Sequence, residues 1–222
     1  MKLLWITNTI FPELSKQLGM PAPIGGGWMY SLAADLVNIN SITLAIATVY
    51  GGKQLKSICL GNIQYYLIPK GIVNTKYDSS LEKYWLKLKM EFEPDVIHIH
   101  GTEFAHGLAY IKACGSKNCV VSIQGLISVI SRYYCAGISI KDILRNITFR
   151  DIIRQDNIFQ QQRKFYQRGE IEKEYIISVD HIIGRTLWDR DHVFTINPHT
   201  QYHFNNETLR PSFYNKTKWE YA

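Results

Sequence analysis

The stretch "PDVIHIHG" at residues 94–101 decides the fold. A proline opens it, an apolar Val-Ile-His-Ile-His core follows, and a glycine closes it. That is a short buried strand running into a turn. Downstream, "EFAHGLAYIKAC" (103–114) reads as a short helix and "CVVSIQG" (119–125) as another strand ended by glycine. Upstream, "SSLEKYWLKLKMEF" (79–92) is helical, with Ser79 or Ser80 as its N-cap. The same alternation reaches both ends of the chain. "KLLWIT" (2–7), "ITLAIATV" (42–49) and "IQYYLIP" (63–69) read as strands, and an amphipathic helix runs from Trp28 to Ile39. A loop carrying Arg132, Tyr133 and Tyr134 leads to helices over 138–178, and "DHIIGRT" (180–186) and "VFTINP" (193–198) read as closing strands. Six or seven apolar strands alternating with helices specify the α/β class: a Rossmann-like, doubly wound, mostly parallel sheet with helices on both faces. One domain over 1–222 accounts for the whole pattern, with no internal repeat.

Composition narrows the setting. The 222 residues are 46% hydrophobic and 20% charged, as expected of a globular chain with a real core. No window holds the roughly 18 apolar residues that cross a bilayer. "MKLLWITNTIF" has one lysine and no small-residue cleavage site, so it reads as a first strand and not a signal peptide, and a cytoplasmic location is expected. Cys59, Cys114, Cys119 and Cys135 lack C-x-x-C spacing and are expected to be reduced and structural. The net charge of +6 suits an anionic partner. Much of the basic charge lies over 141–173, interspersed with acids; it forms either a solvated helix face or a patch for a membrane surface or anionic acceptor. No nucleic-acid module is recognisable.

In doubly wound sheets a ligand lies beyond the C-terminal ends of the strands. That rule selects the segment after Thr7 with its glycine loop, His100 to Glu103, Gln124 with Gly125, and Gly184 to Thr186. Gly25, Gly26 and Gly27 precede a helix, where close-approaching N–H groups and the helix dipole suit a phosphate or sugar oxygen. A dinucleotide fingerprint is missing: Tyr30 stands where G-x-G-x-x-G needs its third glycine, and a GxxxxGK[ST] loop is absent. His98 and His100 share one strand face; without further ligands than Glu103 and His106 nearby, no metal site is expected. His98 reads as a core histidine, and His100, at the strand tip, as a candidate ligand contact. Gln124 can hydrogen-bond a sugar hydroxyl but cannot act as a base.

Taken in order, a strand, a long loop, GG and a helix, then "PDVIHIHG", "VVSIQGL", "DHIIGRTLWDR" and "NETLRPSFY" resemble the family 4 glycosyltransferases. More narrowly, they resemble the N-terminal half of bacterial enzymes that build capsular and other surface polysaccharides. The resemblance covers nearly the whole chain. It implies a two-domain GT-B architecture whose N-terminal domain carries the acceptor side, and sugar transfer with retention from a nucleotide-sugar donor to a glycan or lipid-linked acceptor. No cofactor or metal is implied. Gly25, Gly26 and Gly27 would approach the donor diphosphate across the cleft. Gln124 stands where many relatives have a histidine against the transferred sugar; with His100 it is a candidate catalytic position. Arg185 and Thr186 would line the cleft near the acceptor or serve the domain interface, and Thr102, Glu103 and Gly125 at the strand tips are further candidate lining positions; Asp189 and Trp188 read as helix capping and packing. The sequence stops just after "LRPSFY", and no E-x7-E pair in a donor-domain context is present. The expectation is therefore half an enzyme, without its C-terminal donor domain and inactive alone. The competing expectations are a non-catalytic carbohydrate- or protein-binding module that keeps the half-fold and, from outside the family, an oxidoreductase, which lacks its fingerprint.

Overall fold

The computed structural model describes residues 1–70, 76–209 and 211–215. Eight strands form one sheet: β1 (Lys2–Ile6), β2 (Thr43–Tyr50), β3 (Lys56–Leu60), β4 (Ile63–Pro69), β5 (Val96–His100), β6 (Cys119–Ser122), β7 (His181–Gly184) and β8 (Gln201–Phe204), in the order β3-β4-β2-β1-β5-β6-β7-β8. All neighbours pair in parallel except β3, which folds back antiparallel on β4 at the edge. The chain winds outward from β1 in one direction and then, from β5, in the other. The switch point is therefore the β1–β5 seam, where Leu3 lies opposite Val96 and Ile6 opposite Ile99.

The period of two along β1 sorts its side chains into two cores. Leu3 and Trp5 pack with Phe11, Leu14, Met29 and Ala33. These come from α1 (Pro12–Gln17) and α2 (Gly27–Leu36). Leu4 and Ile6 face the larger core beneath α3 (Glu82–Phe92), α4 (His106–Cys114), α8 (Ile158–Ser178) and α9 (Leu187–Ile196). Between β6 and α8 come α5 (Ile127–Tyr133), α6 (Ile140–Arg145) and α7 (Phe149–Arg154); α10 (Pro211–Tyr214) closes the described chain.

Several local expectations are corrected. Residues 193–196 of "VFTINP" end helix α9 instead of forming a strand. The capping box of Thr186 with Asp189 starts that helix, and Val193, four residues on, is buried beside Asp189. The last strand is β8, largely exposed along its length and so without an apolar signature. The polar edge strand β3 escaped the periodicity for the same reason. Asp78, not Ser79 or Ser80, caps the helical stretch 79–92, accepting from the Ser80 N–H at 3.0 Å. Arg132 and Tyr133 belong to α5 and not to a loop. An internal repeat is also present: "SIKDILRN" (139–146) and "TFRDIIRQ" (148–155) match position by position, each capped by its own hydroxyl and aspartate.

Gly169 sets how closely α8 approaches α5. A Cβ there would lie 2.6 Å from the Ser128 Cα, a backbone atom that cannot rotate away. Gly169→Ala is expected to destabilise the protein by about 1–3 kcal/mol, although alanine is the better helix former. The midpoint of urea unfolding checks this; an unchanged or raised midpoint would show that the two helices can separate at no cost.

Candidate functional site

At the switch point the chain leaves β1 through Thr7, Asn8 and Thr9, and β5 through Gly101, Thr102 and Glu103. The two exits are tied together: Asn8 Nδ2 donates to Glu103 Oε2 at 2.9 Å, and Arg168 Nε on α8 donates to the Glu103 carbonyl at 2.9 Å. Burial pushes the Glu103 carboxyl above the usual carboxylate range; its own backbone N–H, Arg168 and Asn8 only partly offset this. Thr102 is fully buried and does not line a cleft. Its hydroxyl donates at 2.8 Å to Glu172, a fully buried carboxylate on α8. Glu172 also accepts from the backbone N–H groups of Ile127 and Ser128 and from the Ser128 hydroxyl, and so satisfies the first turn of α5.

His98 and His100 stand on the same face of β5, ring centroids 3.8 Å apart. His100 is enclosed by Trp5 at 4.4 Å and Trp28 at 5.3 Å, is 1% exposed, and neither ring nitrogen has a hydrogen-bond partner. Burial, with His98 beside it, holds its pKa well below the ordinary histidine value. It is thus a neutral ring inside the wall, not a side chain offered to a ligand. The roles expected of the two histidines are exchanged: His98 reaches the cleft, where its Nε2 lies 2.5 Å from the Ser122 hydroxyl. Burial lowers its pKa to about 4, so it too stays neutral at physiological pH.

The cleft lies over the tips of β5, β6 and β7, flanked by α2. It has a volume of about 90 Å³ and is lined by Trp28, His98, Gln124, Arg185 and the segment 205–208 among others. That holds a few waters or one edge of a sugar, well short of the roughly 300–1,000 Å³ that engulfs a small-molecule ligand. The Arg185 guanidinium links two lining segments, donating to the Gln124 carbonyl at 2.8 Å and pairing with Glu207 at 2.8 Å. The Gln124 amide is half-buried on the cleft surface, with Gly125 following it. Thr186 is exposed at the N-terminus of α9, where its hydroxyl accepts the Asp189 N–H at 3.1 Å. Asp189 is nearly buried and caps the same helix, while Trp188 is half exposed and does not pack into the core.

None of Gly25, Gly26 and Gly27 lines the cleft, and Gly26 lies against Thr9 at the β1 exit. Gly26 is the N-cap of α2 at φ +81°, a left-handed position, and a Cβ there would meet Met29, Tyr30 and Thr9 at 2.9–3.3 Å. No side chain caps this helix, so its first N–H groups are left to other acceptors. Trp28, one residue on, links this turn to the cleft. Sequence patterning missed the segment 205–208, which follows β8 directly. The strand-tip rule would have found it had the strand itself been legible. Among the described residues no cluster of three or more metal-ligating side chains occurs, and no helix is long and apolar enough to cross a membrane.

No family model and no curated protein sequence matches this chain. Solved structures do. Sucrose-phosphate synthase from Thermosynechococcus elongatus superposes with a TM-score of 0.53 at 10% identity, over 92% of this chain and 47% of that one. An E. coli structure described as trehalose-6-phosphate bound with UDP-2-fluoro glucose gives 0.45 at 10% identity, over 88% and 42%. A trehalose-6-phosphate synthase studied for glycosyl transfer with retention gives 0.41 at 11% identity, over 88% and 42%. This chain thus spans about half the length of the structures it matches. The first of these likenesses establishes the fold: an α/β, Rossmann-like sheet of the kind found in GT-B glycosyltransferases.

Proposed function

We propose that this chain is the acceptor-side half of a retaining, family 4-type glycosyltransferase that moves a hexosyl group from a nucleotide sugar to a glycan or lipid-linked acceptor. Surface polysaccharide assembly at the cytoplasmic side of a membrane is the proposed setting. The observation that carries the reading is the strand-tip cleft: amide, hydroxyl and guanidinium groups beside an aromatic wall, in a space too small and open to hold a whole donor. Such a half-site suits a ligand shared with a second body, which is proposed to bind the nucleotide.

The chemistry follows from what each group can offer. In retaining transfer the donor's diphosphate leaves from the face of the sugar on which the acceptor hydroxyl attacks, so the protein positions reactants and stabilises the leaving charge. Gln124 would hydrogen-bond a sugar hydroxyl. Arg185, held in place by its pairing with Glu207, would offer guanidinium N–H donors, and the N–H groups of the Gly25, Gly26 and Gly27 turn would meet the diphosphate. His98 and Ser122, bonded to each other, offer neutral hydrogen-bonding groups on the cleft lining. No proton-transfer step is assigned to either histidine, because burial keeps both neutral. No resident metal or cofactor enters; the nucleotide sugar is substrate.

The test is ligand-observed and protein-observed NMR with UDP, GDP and dTDP sugars and with diphosphate-linked glycans at millimolar concentration. Shifts are expected at Trp28, Gln124 and Arg185, with no turnover by this chain alone. Robust transferase activity of the 222-residue chain would overturn the half-site reading. Saturable NADH binding, or no perturbation of the cleft by any of these ligands, would overturn the sugar-transfer reading. Arg185→Ala is expected to weaken such binding about 10- to 100-fold, and Arg185→Lys to recover little of it, because lysine cannot fork between the Gln124 carbonyl and Glu207. Equal affinity of the alanine variant would remove Arg185 from the site.

A further inference from the structure

The repeated motif over 139–155 builds a surface unlike the rest of the molecule. In both copies an apolar residue is followed directly by a cation, twice per helix: Ile140-Lys141 and Leu144-Arg145 in α6, Phe149-Arg150 and Ile153-Arg154 in α7. The apolar members are not core residues. Ile140 is 68% exposed, Leu144 60%, Phe149 78% and Ile153 66%, with Ile152 beside them at 61%. The second copy does not even bury its central isoleucine, whereas the equivalent Ile143 of the first is 6% exposed. Large aliphatic and aromatic side chains held in water over two successive helices are costly unless something covers them.

Charge says what covers them. All four cations are exposed, and among the described residues none is in an ion pair. The two acids of the repeat keep their charge but are turned onto the starts of their own helices as caps. The Ser139 hydroxyl donates to Asp142 at 2.6 Å, and the Thr148 N–H and hydroxyl donate to Asp151 at 2.9 and 2.7 Å. What remains is an array of apolar tips, each flanked by an extended cationic side chain. Cations on long stems can lie at a headgroup layer while their apolar neighbours enter the acyl boundary. Four cations against two aspartates leave the repeat with a positive excess, which an anionic bilayer matches and a neutral one does not.

We propose that α6 and α7 form a two-copy anchor that docks this chain on an anionic lipid surface, Phe149, Ile152, Ile153 and Leu144 entering the interface and Lys141, Arg145, Arg150 and Arg154 meeting lipid phosphates. The proposal stands whatever the strand-tip cleft binds. Two short helices give reversible, peripheral attachment, in keeping with the absence of a membrane-crossing helix among the described residues.

Flotation of the 222-residue chain with vesicles tests it. Vesicles of phosphatidylcholine with about 30% phosphatidylglycerol are expected to carry at least about tenfold more protein than phosphatidylcholine alone, and raising salt to about 0.5 M is expected to release most of it. Two variants separate the components. Phe149→Ser/Ile152→Ser/Ile153→Ser removes the apolar tips, and Arg150→Glu/Arg154→Glu reverses the charge. Each is expected to lower binding about tenfold or more while leaving the melting temperature within about 2 °C, because the substituted side chains are exposed. Equal binding to neutral and anionic vesicles, no binding to either, or wild-type binding by both folded variants would overturn the proposal. So would a concentration-dependent dimer in light scattering that the serine variant abolishes, since the face would then belong to a second copy of the chain.

Discussion

Acidification from pH 6.5 towards 4 is expected to destabilise this protein strongly, the loss beginning above the range in which most carboxylates take up protons. Two buried histidines, His100 and His106, and the half-buried His98 set the slope. Burial lowers the pKa of His98 and His106 to about 4, and burial with the neighbouring His98 ring holds His100 well below its ordinary value. For His106 the hydrogen bond to the Thr7 carbonyl at 3.0 Å works against burial without overcoming it. In the unfolded chain each would titrate near 6.5. Below that pH the unfolded state binds protons that the folded state refuses, so stability falls as pH falls and is fully present only above about 6.5. Each histidine contributes at most about 1.4 kcal/mol per pH unit, and the three together up to about 4. His98, half-buried at the cleft wall, contributes least. A typical stability of about 5–15 kcal/mol is then spent within a few pH units. Urea midpoints at pH 7.5, 6.0 and 5.0 measure the slope. His100→Phe, which keeps an aromatic ring among Trp5, Trp28 and His98, is expected to remove about one proton from it. A midpoint that is flat over this range would mean that the histidines gain water in the folded state.

Replacing Glu172 is expected to be the most damaging single change outside the apolar core. Its carboxylate accepts four hydrogen bonds, at 2.6 to 3.1 Å, from Thr102, Ile127 and Ser128, in a space closed to water. Glu172→Ala leaves two backbone N–H groups and two hydroxyls without an acceptor and uncaps α5, a loss of about 3–5 kcal/mol. In a chain of this size that corresponds to a fall in melting temperature of about 10 °C or more. Glu172→Gln is expected to cost roughly half as much, since one oxygen survives while the new amide faces a donor. The same loss should loosen the segment after β5, because Thr102 is held by this carboxylate; hydrogen exchange at residues 101–105 reads that directly. Melting of the alanine variant within about 2 °C of the parent would show that water enters the site and serves these donors.

The class of the fold was legible because parallel strands buried on both faces are nearly continuous apolar runs. "KLLWIT", "ITLAIATV" and "PDVIHIHG" need no partner to be recognised. Strands β3 and β8 were not legible, for the opposite reason. They are edges, and their side chains are largely in water, so no apolar run or clean alternation marks them. Missing β8 also hid residues 205–208, a whole wall of the cleft. Over 193–196 β-branched residues suggested a strand, but the cap at Thr186 and Asp189 and the burial of Val193 on α8's side of the sheet made a helix. Local propensity lost there to capping and burial together.

What the sequence determined by itself was periodicity and punctuation: which runs are strands, where glycines stop them, which tips could meet a ligand, and the doubly wound class that follows. Tertiary structure alone decided which of those tips open on a cleft. His98 and His100 are indistinguishable by spacing, yet Trp5 and Trp28 together close over His100, while His98, met edge-on by Trp5 alone, stays at the cleft. Thr102 and Glu103 are neighbours, yet one is tied inward by a glutamate 70 residues away and the other is held at the β1–β5 seam by Asn8. Such partners are remote in the chain, so no local pattern encodes them. They exist only once the sheet has brought distant strand ends together and packing has chosen which side chains water can reach.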